Sequence, residues 1–125
     1  MNTFEKLTLL ESQADEFGFM WHAPSQILDQ IQSECEEIKQ TLKQQGGRNH
    51  LQEEIGDLIH AAFSLCLFCE FDAEETMVKS IDKFEIRFNK LKRLVHESAQ
   101  GSLKGQPVEV LMDFWNQAKQ RHHRP

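Results

Sequence analysis

Apolar residues recur three and four positions apart along nearly the whole chain, and only three prolines (Pro24, Pro107, Pro125) interrupt its 125 residues. This is the period of one face of an α-helix, and no alternating strand pattern competes with it. The cleanest stripe is Leu28, Ile31, Cys35, Ile38 and Leu42. It predicts a helix from about Ser25 to Gln45, ended by Gly46-Gly47 through a left-handed cap. An earlier helix, from about Thr3 to Phe17, carries Phe4, Leu7, Leu10, Ala14 and Phe17 and breaks at Gly18 and Trp21-His22-Ala23-Pro24.

Asn49, with Gln52 three residues on, has the form of a capping box for a third helix. The later half of that helix, Ala61 to Phe68, is apolar nearly all round, which predicts burial between neighbours. Asp72 with Glu75 opens a fourth helix striped by Met77, Ile81, Phe84, Phe88, Leu91 and Val95. A loop over Gln100 to Gln106 follows, then Pro107 in a first helical turn and a short last helix through Val110, Leu111, Phe114 and Ala118. The expected fold is all-α: one four-helix-bundle-like domain over residues 1–125, with a short C-terminal helix and a frayed tail at 120–125.

A hydrophobic content of 39% is enough for a core at this length. Fourteen basic against twenty acidic residues leave a net charge of −6, the wrong sign for a nucleic-acid footprint. No apolar run reaches the roughly 18–20 residues that span a bilayer, and no charged-then-apolar leader is visible. The three cysteines, Cys35, Cys66 and Cys69, are odd in number and lie inside helical patterns. They predict a reducing, cytoplasmic setting with core packing rather than disulfides, zinc or redox work for Cys66-x-x-Cys69.

Four acids stand out by spacing. Glu34 and Glu37 are three apart on the second helix, and Glu54 and Asp57 are three apart on the third. Each pair shares a helix face, with Cβ atoms about 5–6 Å apart. A short Gly-Gly turn makes the two helices antiparallel neighbours, so the pairs can meet across the interface. Converging carboxylates repel unless a cation neutralises them, and hard oxygen ligands suit Mg²⁺, with Mn²⁺ as a substitute. Gly56, mid-helix between two of the acids at a cost of up to about 1 kcal/mol, is explained by close helix–helix approach. His60 follows Asp57 by three, but Gln40 stands at the matching place after Glu37, so a di-iron pattern lacks its second half.

On the fourth helix Lys79, Lys83, Arg87 and Lys90 form a basic stripe. It reads either as a solvated face or as a grip for several phosphates bridged to a metal held by the acids. Trp21 reads equally as a stack for a nucleobase or as a plug at the end of the bundle.

The ordered set of motifs resembles the MazG-like nucleoside triphosphate pyrophosphohydrolases, in the all-α superfamily that includes dimeric dUTPases. The likeness rests on Glu34-x-x-Glu37, sixteen intervening residues, Glu54-Ile-Gly-Asp57-Leu, Asp82-Lys83-Phe84-Glu85-Ile86-Arg87-Phe88, and Leu111-Met112-Asp113-Phe114-Trp115-Asn116-Gln117-Ala118-Lys119. It runs from about Phe4 to Lys119.

The resemblance implies that Glu34, Glu37, Glu54 and Asp57 bind metal and that Lys83 and Arg87 hold phosphate. It also implies nucleotide contacts for Trp115, Lys119 and Glu53. His50 stands where some members have lysine, and Ile86 replaces one arginine of a common pair; both remove charge from the substrate site. The implied reaction is Mg²⁺-dependent hydrolysis of an NTP or dNTP to the monophosphate and pyrophosphate, as nucleotide-pool housecleaning. Either Glu37 or Glu53 would activate the water, with Glu54 and Asp57 completing the catalytic acids. A homodimer or dimer of dimers is implied too, and the long apolar third helix also asks for a second subunit. The rival reading is a non-catalytic helical module that binds nucleotide or regulates a partner.

Overall fold

The computed structural model describes residues 1–98 and 101–122. Five helices follow in order, α1 Thr3–Phe17, α2 Pro24–Lys43, α3 Arg48–Phe68, α4 Ala73–Glu97 and α5 Val108–His122. No strand occurs among the described residues, as the periodicity predicts. The chain divides into two compact units, Met1–Thr76 and Met77–Pro125.

In the first unit, α1 begins with a full capping box. Asn2 Oδ1 accepts from the Glu5 amide at 2.8 Å, and Glu5 Oε1 accepts from the Asn2 amide at 3.1 Å. Gly18 ends the helix at φ 98°, a conformation in which a Cβ would be strained. Helix α2 starts at Pro24, whose missing N–H is no loss in a first turn. Gln26 Oε1 takes up the preceding amides of His22 and Ala23 at 2.7 and 3.2 Å.

The turn between α2 and α3 departs from expectation. The left-handed residue is Gln45, at φ 55°, and neither Gly46 nor Gly47 has positive φ. Gly46 is needed for space instead: a Cβ there would lie 2.8 Å from Cγ2 of the buried Thr41, whose carbonyl accepts the Gly46 amide at 2.8 Å. Helix α3 then starts at Arg48 behind Gly47, without a side-chain cap, so the expected Asn49 capping box does not form. Asn49 is already inside the first turn, beyond the position from which a side chain caps.

The short turn makes α2 and α3 antiparallel partners, and their pairing is the main helix–helix contact. Helix α1 joins α3 through Phe4 stacked on Phe63 at 5.8 Å between centroids. Ile27, Ala61 and Phe63 are core residues. The apolar half of α3 is less covered than predicted. Leu65, Cys66, Leu67 and Phe68 are half-buried and Ile59 is 64% exposed, because α2, with lighter contact from α1, covers only part of an all-round apolar surface. The Asp72 cap forms as predicted, its Oδ2 accepting the Glu75 amide at 2.8 Å.

In the second unit, Phe84 of α4 packs against Phe88 at 5.9 Å and against Trp115 of α5 at 5.8 Å. Lys92 Nζ lies 4.8 Å over the Phe88 ring. Pro107 precedes α5 rather than entering it; its carbonyl accepts the amides of Val110 and Leu111 at 3.0 and 3.2 Å. The tail expected to fray is helical through His122, and residues 123–125 lie outside those described.

Candidate active site

The paired helices α2 and α3 carry the four spaced acids. Glu34 and Glu54 are buried, with only 6% and 8% of their surface exposed, whereas Glu37, Asp57 and Glu53 are exposed. Burial of a carboxylate is costly unless its lone pairs are met. Gln30, one turn before Glu34, donates from Nε2 to Glu34 Oε1 at 2.7 Å, and His50 Nε2 stands 3.5 Å from Glu54 Oε2. The opposite oxygens, Glu34 Oε2 and Glu54 Oε1, are buried with no hydrogen-bond partner.

Burial pushes the Glu34 carboxyl above the usual carboxylate range, and the negative charges of Glu37 and Asp57 push it further. The hydrogen bond from Gln30 opposes them. Glu34, Glu37 and Asp57 are therefore close enough to feel one another, as their spacing predicts. Among the described residues, however, no three His, Cys, Asp or Glu side chains are grouped tightly enough to hold a metal ion as they stand.

The donor set nevertheless suits a hard divalent cation. It consists of carboxylates alone, and two of their oxygens are desolvated and unmatched. The expected explanation for Gly56 does not hold. A Cβ on Gly56 would meet nothing within 4 Å, so no neighbouring helix requires glycine there.

A cavity of about 650 Å³ opens beside these acids, within the first unit. Glu34 and Asp57 lie on its wall together with Trp21, Glu11, His60 and Ser64. Trp21, 36% exposed, thus borders open space rather than plugging a closed end. Spacing does not single out Glu11, Gln30 or Ser64, and it points to His60 only through an incomplete di-iron pattern. The available signal was their register: Gln30 is four before Glu34, and Ser64 is four after His60.

The basic stripe and the late aromatic belong to the second unit. Lys83 is exposed; Arg87 is half-buried, and its Nε is buried without a partner. Trp115, half-buried, packs on Phe84, and Lys119 one turn later is exposed.

The model of the MazG nucleotide pyrophosphohydrolase domain matches residues 22–92, which include all four spaced acids, Lys83 and Arg87. The nucleoside triphosphate pyrophosphohydrolase/pyrophosphatase MazG of Thermotoga maritima is 30% identical over 110 residues, 88% of this chain and 41% of that protein. The nucleoside triphosphate pyrophosphohydrolase of Escherichia coli K12 is 28% identical over 114 residues, 90% of this chain and 43% of its own length. The chain thus spans about two fifths of the length of these curated relatives. With the domain match covering more than half of its residues, the chain belongs to the MazG nucleotide pyrophosphohydrolase domain family.

Proposed function

We propose that this protein hydrolyses nucleoside triphosphates, ribo or deoxy, to the monophosphate and pyrophosphate in a Mg²⁺-dependent reaction that clears surplus or noncanonical nucleotides. The observation that carries the reading is the pair of buried, unmatched carboxylate oxygens, Glu34 Oε2 and Glu54 Oε1, on adjacent antiparallel helices. The family match and the names of its relatives support the same reaction class.

Glu34, Glu37, Glu54 and Asp57 would hold the cation. When bound, Mg²⁺ polarises phosphoryl oxygens and lowers the pKa of water. Gln30 fixes one oxygen of Glu34 and so aims the other. Glu37 or Glu53, both exposed, would orient the attacking water and take its proton. Lys83 and Arg87 are one turn apart on α4 and would neutralise charge growing on the leaving pyrophosphate. Trp115 and Lys119 would contact the nucleotide, and so would His50, whose Nε2 lies 3.5 Å from Glu54 Oε2.

The half-covered apolar surface of α3 supports a homodimer or dimer of dimers, which light scattering at micromolar concentration tests. No helix among the described residues is long and apolar enough to cross a membrane.

Pyrophosphate release from a panel of NTPs and dNTPs, with Mg²⁺ and with chelator, tests the activity. Release that needs the cation is expected; cation-independent release, or none from any nucleotide, overturns it.

A further inference from the structure

The cavity beside the acids has one polar wall with an unusual construction. Glu11, from α1, reaches α3, where its Oε1 is bonded twice: Ser64 Oγ donates to it at 2.5 Å, and His60 Nε2 lies 2.9 Å away. The residues concerned are far apart in sequence, so the contact is tertiary and locks the carboxylate in place. The second oxygen, Oε2, makes no hydrogen bond or ion pair among the described residues. The side chain is only 22% exposed and lies on the cavity wall. Opposite chemistry surrounds it: Leu7, Leu10, Phe19 and Trp21 give the same cavity apolar and aromatic walls.

A slot with apolar and aromatic walls, and an acceptor that comes from outside the acids' own helix pair and is anchored by Ser64 and His60, recognises a flat group that can stack and that donates hydrogen bonds from its edge. A nucleobase fits that description. The cavity shares Glu34 and Asp57 with the proposed metal site, so a base there would be tethered to phosphates at the acids. We propose that Glu11 selects nucleobases with an amino group in place of the ring carbonyl, so that cytosine and adenine are favoured over uracil, thymine and hypoxanthine. This inference rests on the nucleotide-hydrolysis reading and adds the substrate class to it.

The selection is chemical. Cytosine presents an N–H donor where uracil presents a carbonyl, and adenine differs from hypoxanthine in the same way. A carbonyl turned toward an anchored carboxylate places acceptor against acceptor and leaves both unmatched. Sites built to hydrogen-bond one edge reject analogues that lack it more sharply than they reject a change of size. Ser64 is a positioning residue in this scheme, acting through Glu11.

The test is calorimetric binding of CMP against UMP, and AMP against IMP, to the full chain with Mg²⁺. Product binding needs no turnover, so its outcome is separate from that of the hydrolysis assay. Wild type is expected to prefer CMP and AMP by at least about tenfold. Glu11→Gln, which keeps the volume and an acceptor for Ser64 and His60, should bring both ratios close to one. Ser64→Ala should erode them in part, with the helical circular dichroism unchanged. Equal affinities in wild type, failure of all four to bind, an unchanged preference in Glu11→Gln, or equal weakening of both members of each pair would overturn the assignment. A preserved preference in a chain that releases no pyrophosphate would support it and sink the hydrolysis reading alone.

Discussion

His50 and Glu54 stand one helical turn apart with Nε2 and Oε2 at 3.5 Å, yet the other oxygen of Glu54, Oε1, is buried with no hydrogen-bond partner. Glu34, on the neighbouring helix, repeats the pattern, with one oxygen held by Gln30 and the other unmatched. A fold under selection for stability alone has no reason to bury two half-matched carboxylates on paired helices. On the proposed reading, a bound divalent cation would supply the missing partners.

The exposed members of the set separate function from stability. Glu37→Gln and Asp57→Asn remove charge from side chains already in solvent. Each is expected to lower pyrophosphate release by at least about a hundredfold and to leave the helical circular dichroism intact. Near-normal rates in both, with Mg²⁺ present, would contradict the metal assignment.

Gln30 acts through Glu34 rather than on substrate. Gln30→Leu removes the 2.7 Å bond that fixes Glu34 Oε1 and leaves a second buried oxygen unmatched. The expected outcome is a roughly tenfold rise in the Mg²⁺ concentration needed for half-maximal activity. The rate at saturating cation should change less, and a cation titration of the initial rate reads both.

Stability of the cation-free protein should depend on pH in the direction set by Glu34. Its carboxyl is held above the ordinary range by burial and by Glu37 and Asp57, so the folded state prefers it protonated. The stability it contributes is fully present below the ordinary carboxylate range and is lost as pH rises through the raised value. Glu34→Gln should remove this loss and melt a few degrees higher than wild type at neutral pH without cation. Added Mg²⁺ should raise the melting temperature of wild type and not that of the variant. Scanning calorimetry across pH, with and without Mg²⁺, checks all three signs.

Two glycines on the same hairpin should respond oppositely to alanine. Gly56 is exposed, mid-helix and has open space at its missing Cβ. Gly56→Ala is therefore expected to stabilise by about 0.5–1 kcal/mol through helix propensity. At Gly46 the new methyl would meet Thr41 Cγ2 at 2.8 Å, and Thr41 is buried. Gly46→Ala should destabilise by about 1–3 kcal/mol, read by urea unfolding.

Much of the architecture was legible because helices are local. The stripe of Leu28, Ile31, Cys35, Ile38 and Leu42 announces α2, and Asp72 with Glu75 announces the start of α4, since both signals act within one or two turns. The spacing of Glu34, Glu37, Glu54 and Asp57 was legible for the same reason. The cap of α3 and the role of Gly46 were misread because turn conformation depends on what packs beneath it; here that is Thr41.

The periodicity and the paired acids thus settled the helical class and the family's acid motif from one-dimensional information, because i and i+3 or i+4 are neighbours on any helix. Which oxygen of each acid is left without a partner, and that Glu11 crosses to Ser64 and His60 beside an apolar cavity, required the folded chain. Burial and long-range hydrogen bonds arise only when separate helices are brought side by side, and no local spacing encodes which side chains then meet.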